Sequence, residues 1–143
     1  LLEEGEWKMQ DGMIHISNVI NNSLELATEY KLDEDMCYTM SAYHDLGLEV
    51  DRKNHELESG KIFIADKKLK EYFTKKQLII MKEAIEDHRA SCNHEPRTIY
   101  GKIVSTADRT IIDIDDTIKR SYSYGKKIII CIIVNEPLFI DFF

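Results

Sequence analysis

The chain has 143 residues, of which 43% are hydrophobic and 31% charged. That is the size of one core and the composition of a folded protein, and it excludes wholesale disorder. Lys and Arg number 19 against 26 Asp and Glu, a formal charge of −7, which argues against a nucleic-acid polymer as partner because phosphate binding runs on clustered cations.

The periodicity is helical nearly throughout. Ile16, Ile20, Leu24 and Ala27 recur at steps of four, four and three, on one face of a first helix. Asp33 reads as the N-cap of a second, with Glu34 and Asp35 in the first turn, where the helix dipole favours carboxylates. This helix carries Met36, Met40, Tyr43 and His44, and Gly47 is its expected stop. A third segment covers residues 54–73. Thr74-Lys-Lys-Gln77 has the pattern of a capping box, and behind it Leu78, Met81, Ile85 and His88 share a face. Ile99, Ile103, Ala107 and Ile111 stand at strict steps of four, and a short helix is expected over 113–124, stopping at Gly125. There is no internal repeat, no Gly-rich phosphate loop and no G-x-S-x-G. The expected fold is all-α, a bundle of five to six helices over residues 10–125.

Residues 126–143 break the pattern. From 128 to 143 only Glu136 and Asp141 are charged. The run I-I-I-C-I-I-V reads as a buried strand or an aggregation-prone segment. It is far shorter than the roughly 20 residues of a membrane span, so no membrane partner is expected, and the apolar tail offers a route to a homodimer. Cys37, Cys92 and Cys131 are scattered and odd in number, which suits reduced thiols in the cytoplasm.

Five histidines, His15, His44, His55, His88 and His94, punctuate the helical pattern. His15 starts the first apolar stripe, His44-Asp45 closes the second helix, His55 opens the third segment, and His88 closes the fourth. Asp108 borders the apolar stripe of the next. Imidazoles and carboxylates facing a bundle core are costly unless paired, and there they commonly converge on metal. Imidazole with carboxylate suits Fe, Mn, Zn, Co or Ni rather than Ca.

His15 in M-I-H-I-S-N-V-I, His44-Asp45 in A-Y-H-D-L-G-L and Asp108 in S-T-A-D-R resemble the spaced H…HD…D pattern of the HD-domain metal-dependent phosphohydrolases. N-H-E-L-E-S-G and I-E-D-H-R-A-S place His55 and His88 where the dinuclear branch of that superfamily carries two extra histidines. E-P-R-T-I-Y-G-K-I-V-S-T-A-D-R is similar to small bacterial HD proteins, whose chains normally continue past the position of Gly125 with polar helices. The resemblance implies an all-α HD domain and two divalent ions, iron or manganese first, with zinc, cobalt and nickel also compatible. His15, His44, Asp45 and Asp108 would form a first metal site. His55 and His88 would complete a second, with Asp45 bridging; His94 matches no ligand.

Such a site clamps a phosphoryl group and acidifies a bridging water. Arg89, Arg97, Lys102 and Arg109 are the cations expected on substrate oxygens. Glu86 and Asp87 are candidates for orienting ligand imidazoles or protonating a leaving group. The expected substrate is a small phosphorylated compound, a nucleotide or related metabolite. The same six-ligand set also resembles the mixed-valent di-iron oxygenases of the superfamily, and a non-catalytic nucleotide-binding HD module is a third reading, against which the complete ligand set argues.

Overall fold

The computed structural model describes residues 4–109, with side chains from Gly12 onward. The expected helix over 113–124, Ile111 and the tail over 126–143 lie outside the described residues. Among the described residues five helices follow one another: α1 (Glu4–Tyr30), α2 (Glu34–Tyr43), α3 (His55–Ala65), α4 (Lys75–Asp87) and α5 (Ile99–Arg109). Two short 3-10 turns, Leu46–Glu49 and Lys67–Glu71, complete the order. Among the described residues there is no strand, and no helix is long and apolar enough to cross a membrane.

The buried line of α1 runs through Val19, Ser23 and Ala27, with Ile16, Ile20 and Leu24 half-buried beside it. This is one residue away from the stripe expected from the apolar residues, because the centre of the face is a serine. Ser41 of α2 donates to the Ser23 hydroxyl across 2.6 Å in a buried contact. Two small side chains let α1 and α2 approach closely while each satisfies the other. The same line extended by four residues reaches His15. The helix ends in a Schellman closure at Lys31, whose φ is 55°. The Leu32 amide donates to the Ala27 carbonyl and the Lys31 amide to that of Thr28.

Asp33 caps α2 by accepting from the Met36 amide at 3.0 Å. The helix stops at Tyr43, four residues before Gly47. Gly47 instead lies in the 3-10 turn, pressed against the start of α3. Its amide donates to the Ser59 hydroxyl at 2.8 Å, and a Cβ there would run into the His55 carbonyl and come within 2.6 Å of the Ser59 nitrogen. The glycine is demanded by close packing of backbone on backbone, not by a helix stop.

The segment over 54–73 divides at Asp66, which accepts from the Lys68 amide at 3.0 Å to start the second 3-10 turn. Of the three consecutive apolar residues Ile62, Phe63 and Ile64, Phe63 is fully buried. The capping box of α4 is complete: Thr74 accepts from the Gln77 amide and Gln77 from the Thr74 amide. Met36, Met40, Phe63, Met81, Ile85 and Val104 form the centre of the core. At Gly101 of α5 an added Cβ would meet Pro96 Cβ at 3.0 Å, a tight approach, while the Ala84 Cα of α4 would stand at an ordinary 3.5 Å.

Gly47→Ala is expected to destabilise the fold by about 1–3 kcal/mol through overpacking. Urea denaturation will show it as a lower midpoint at an unchanged slope.

Candidate metal centre

Six of the residues singled out in the sequence converge. His15 projects from the inward line of α1, His44 is the C-cap of α2, and Asp45 follows as the chain leaves that helix. His55 is the first residue of α3, His88 the C-cap of α4, and Asp108 lies in the last turn of α5. The Asp45 carboxylate sits among the imidazoles. Its Oδ2 lies 3.4 Å from His15 Nε2 and 3.3 Å from His44 Nε2. Its Oδ1 lies 3.4 Å from His55 Nε2 and 3.5 Å from His88 Nε2. Asp108 Oδ1 closes the first side, 3.0 Å from His15 Nε2 and 3.7 Å from His44 Nε2.

The rings are held from behind by main chain. His44 Nδ1 faces the Ser41 carbonyl at 2.6 Å, His88 Nδ1 that of Ile85 at 2.6 Å, and His55 Nδ1 that of Arg52 at 3.2 Å. Each acceptor is the carbonyl three residues earlier, supplied by the helix itself for His44 and His88 and by the turn before α3 for His55. A carbonyl can only accept, so Nδ1 carries a proton and Nε2 is the atom turned to the carboxylates. The acceptors expected behind these rings were Glu86 and Asp87; backbone carbonyls occupy the place instead.

With only protons to balance them, the carboxylates draw charge onto the rings. Burial opposes a charged His44, but hydrogen bonding to Asp108 and Asp45 prevails and its pKa is pushed up to about 10. His15 is raised by hydrogen bonding to Asp108 and then to Asp45. Asp45 and Asp108 are held well below the usual carboxylate range: burial favours their neutral forms, and hydrogen bonds from the histidines outweigh it. His44 Nε2 is nonetheless a buried nitrogen without a hydrogen bond of good geometry, a condition that costs free energy unless something fills it. A cation fits where those protons sit. His15, His44 and Asp108 form one group of donors able to hold an ion, and His44, Asp45 and His88 another. Their mix of imidazole and carboxylate suits a divalent transition metal.

The other expected residues stand elsewhere. Asp87, with a side chain only 1% exposed, accepts from the Arg97 amide at 2.8 Å and from its guanidinium Nε at 3.0 Å and Nη2 at 2.9 Å. Arg97 also donates to Glu86 at 3.0 Å, and Lys82 pairs with Glu86 from the other side. Glu86, Asp87 and Arg97 therefore neutralise one another on the wall of a cavity of about 640 Å³; the structure does not bring them to the six-residue cluster. Arg89 bonds the Lys53 carbonyl and Glu56. Lys102 and Arg109 are exposed, and His94 is an exposed loop residue 4.0 Å from Asp87. Glu56 went unremarked in the sequence; its position directly after His55 was the available signal.

The family model for the HD domain matches residues 12–112. Among solved structures, the chain is similar to a crystal structure of a predicted HD superfamily hydrolase from an uncultured Thermotogales bacterium. Identity is 23% and the TM-score 0.60, over 78% of this chain and 62% of that one. The chain thus spans less than two thirds of that protein's length, and the likeness is one of fold. No curated protein matches.

Arg97→Met should cost about 3 kcal/mol by stranding the buried Asp87 carboxylate, and adding Asp87→Asn should recover part of the loss; thermal unfolding of the single and double variants measures both. Metal and protons compete for the same imidazoles. His44, raised to about 10, holds its proton at neutral pH, and His15 is shifted in the same direction, so loading releases protons and affinity rises with pH. Calorimetry in buffers of different ionisation enthalpy will count the protons released.

Proposed function

The chain belongs to the HD-domain family, and on that footing we propose that it is a metal-dependent phosphohydrolase acting on a small phosphate ester, a nucleotide or related metabolite. The observation that carries this reading is the division of Asp45, one oxygen toward His15 and His44, the other toward His55 and His88. A carboxylate so placed is suited to being shared by two cations, with Asp108 completing the first side. We assign the site two divalent ions, iron or manganese before zinc, cobalt or nickel. When bound, such ions supply Lewis acidity toward phosphoryl oxygens and lower the pKa of water.

The chain's own contribution is to orient and to set charge. The carbonyls of Ser41, Ile85 and Arg52 fix the three rings, so the donor atoms are aimed before any ligand arrives. Asp45 and Asp108 bring two negative charges against four from a pair of divalent ions, which leaves a locally positive site in an acidic protein. Arg109, exposed directly after Asp108, and Lys102, exposed on the same helix, are the cations available for substrate oxygens, and they pair with nothing else among the described residues. Arg97 is saturated by carboxylates. The similar crystal structure, itself described as a predicted HD superfamily hydrolase, supports the hydrolytic reading. Free Cys37 and Cys92 accord with a reducing, cytoplasmic setting.

Protein reconstituted with Mn²⁺ or Fe²⁺ is expected to hydrolyse members of a phosphate-ester panel. Asp45→Ala should lose bound metal and turnover together, each by more than about 100-fold. Dioxygen consumption without ester turnover, or no turnover of any ester at full metal occupancy, overturns the proposal.

A further inference from the structure

The two sides of the candidate centre are built differently. On the first side His15 sits within a long helix, while His44 is a buried C-cap as His88 is. On the second, both imidazoles sit at helix termini. His55 opens α3, whose N-cap residue Asn54 makes no side-chain capping bond. His88 closes α4 and is followed by non-helical chain up to residue 98. The Ile85 and Arg52 carbonyls orient each ring on its own segment, but neither bond sets the gap between the rings, whose centroids lie 5.3 Å apart.

Asp45 Oδ1 faces both rings from the front, and one further side-chain pair joins the residues next to them. The residue after His88 is Arg89, and the residue after His55 is Glu56. Arg89 Nη1 lies 3.3 Å from Glu56 Oε2 and also donates to the Lys53 carbonyl. The acceptor loop is itself stiffened, because Asp51 accepts from the Lys53 amide at 2.9 Å and from the Asn54 side chain at 2.9 Å. Glu56 is largely shielded and Arg89 about one third exposed, so the pair is screened less than a surface contact. Both acceptors are met by the one nitrogen Nη1, so a lysine keeps the charge and has to bring its ammonium to that same point to replace it.

We propose that Arg89, anchored on Glu56 and the Lys53 carbonyl, is a positioning residue that sets the spacing of His55 and His88 and so governs occupancy of the second metal site. This rests on the dinuclear reading above and deepens it. It places Arg89 behind the site, where its work is complete before a substrate arrives.

The test is titration of chelator-stripped full chain with Mn²⁺, by calorimetry and electron paramagnetic resonance, for the parent, Arg89→Met, Arg89→Lys and Glu56→Gln. The parent is expected to take two equivalents and show an exchange-coupled signal. Arg89→Met should weaken the second equivalent about 10–100-fold, the usual effect of losing an outer partner of a ligand. The first equivalent should hold its affinity, and the coupled signal should give way to that of isolated Mn²⁺. Glu56→Gln, which keeps an acceptor, should lose less, and Arg89→Lys should fall between. Two equivalents at parent affinity in Arg89→Met overturn the proposal. So does a parallel loss of both with a lower melting temperature, which marks a merely structural residue. A raised KM with unchanged metal content overturns it in favour of a substrate contact. A parent that binds fewer than two ions sinks the dinuclear reading and this inference with it, and that is visible before any variant is made.

Discussion

The Asp45 carboxylate is the constraint around which the described residues are arranged. It is largely withdrawn from water, and four imidazole nitrogens stand within 3.5 Å of its two oxygens. A buried anion is tolerated only when positive or hydrogen-bonding groups surround it, so the positions of four helices follow from satisfying one side chain. α2 must end just before it, α3 must begin beside it, and α4 must finish against it. α1 must pass close enough for His15 to reach in, which the Ser23–Ser41 contact allows. The apolar core does the rest of the folding work, with Met40, Phe63, Met81 and Ile85 filling the space beneath the site.

Helix ends recur as the tool of construction. A ring at a C-cap can lay its Nδ1 on the carbonyl three residues back, as His44 and His88 do, because the last carbonyls of a helix lack partners within it. The same bond satisfies an orphan acceptor and fixes the ring. An apolar core and a polar site are thereby built from one set of helices, with the Ser41 and Ile85 carbonyls each given a ring nitrogen as partner. His15 has no such bond among those described; its place comes from the register of α1.

Much of this was legible in the sequence, and the parts that were not share a cause. Steps of three and four located the helices, and the Asp33 and Thr74 caps could be read locally because capping partners lie three residues apart. The convergence of His44, Asp45, His55, His88 and Asp108 is readable from their positions near helix ends and from a spaced motif, whereas His15, expected at the start of the first helix, stands inside α1 and is carried by the motif alone. Gly47 was taken for a helix stop because its real reason, a carbonyl of α3 pressed against it, is tertiary. The line of α1 was read one residue off because Ser23, at its centre, is polar and its partner is 18 residues away. Arg97 looked like a free cation because Asp87, ten residues earlier, meets it only after the chain has looped back. The Arg89–Glu56 contact spans 33 residues, beyond the reach of any periodicity.

The Asp87–Arg97 contact has a bearing on how such a chain can vary. Asp87 receives both the backbone amide and the guanidinium of Arg97, so the excursion between α4 and α5 is sewn shut at its base. The stitch encloses His88 and Arg89 together with residues 90–95, and the Cys92 amide donates to the Arg89 carbonyl at 3.1 Å. Cys92, His94 and Glu95 on the cavity wall thus share one closed loop with His88, so a change in the length of residues 90–95 is felt at the second side of the centre, and the rim and the ligand set vary together.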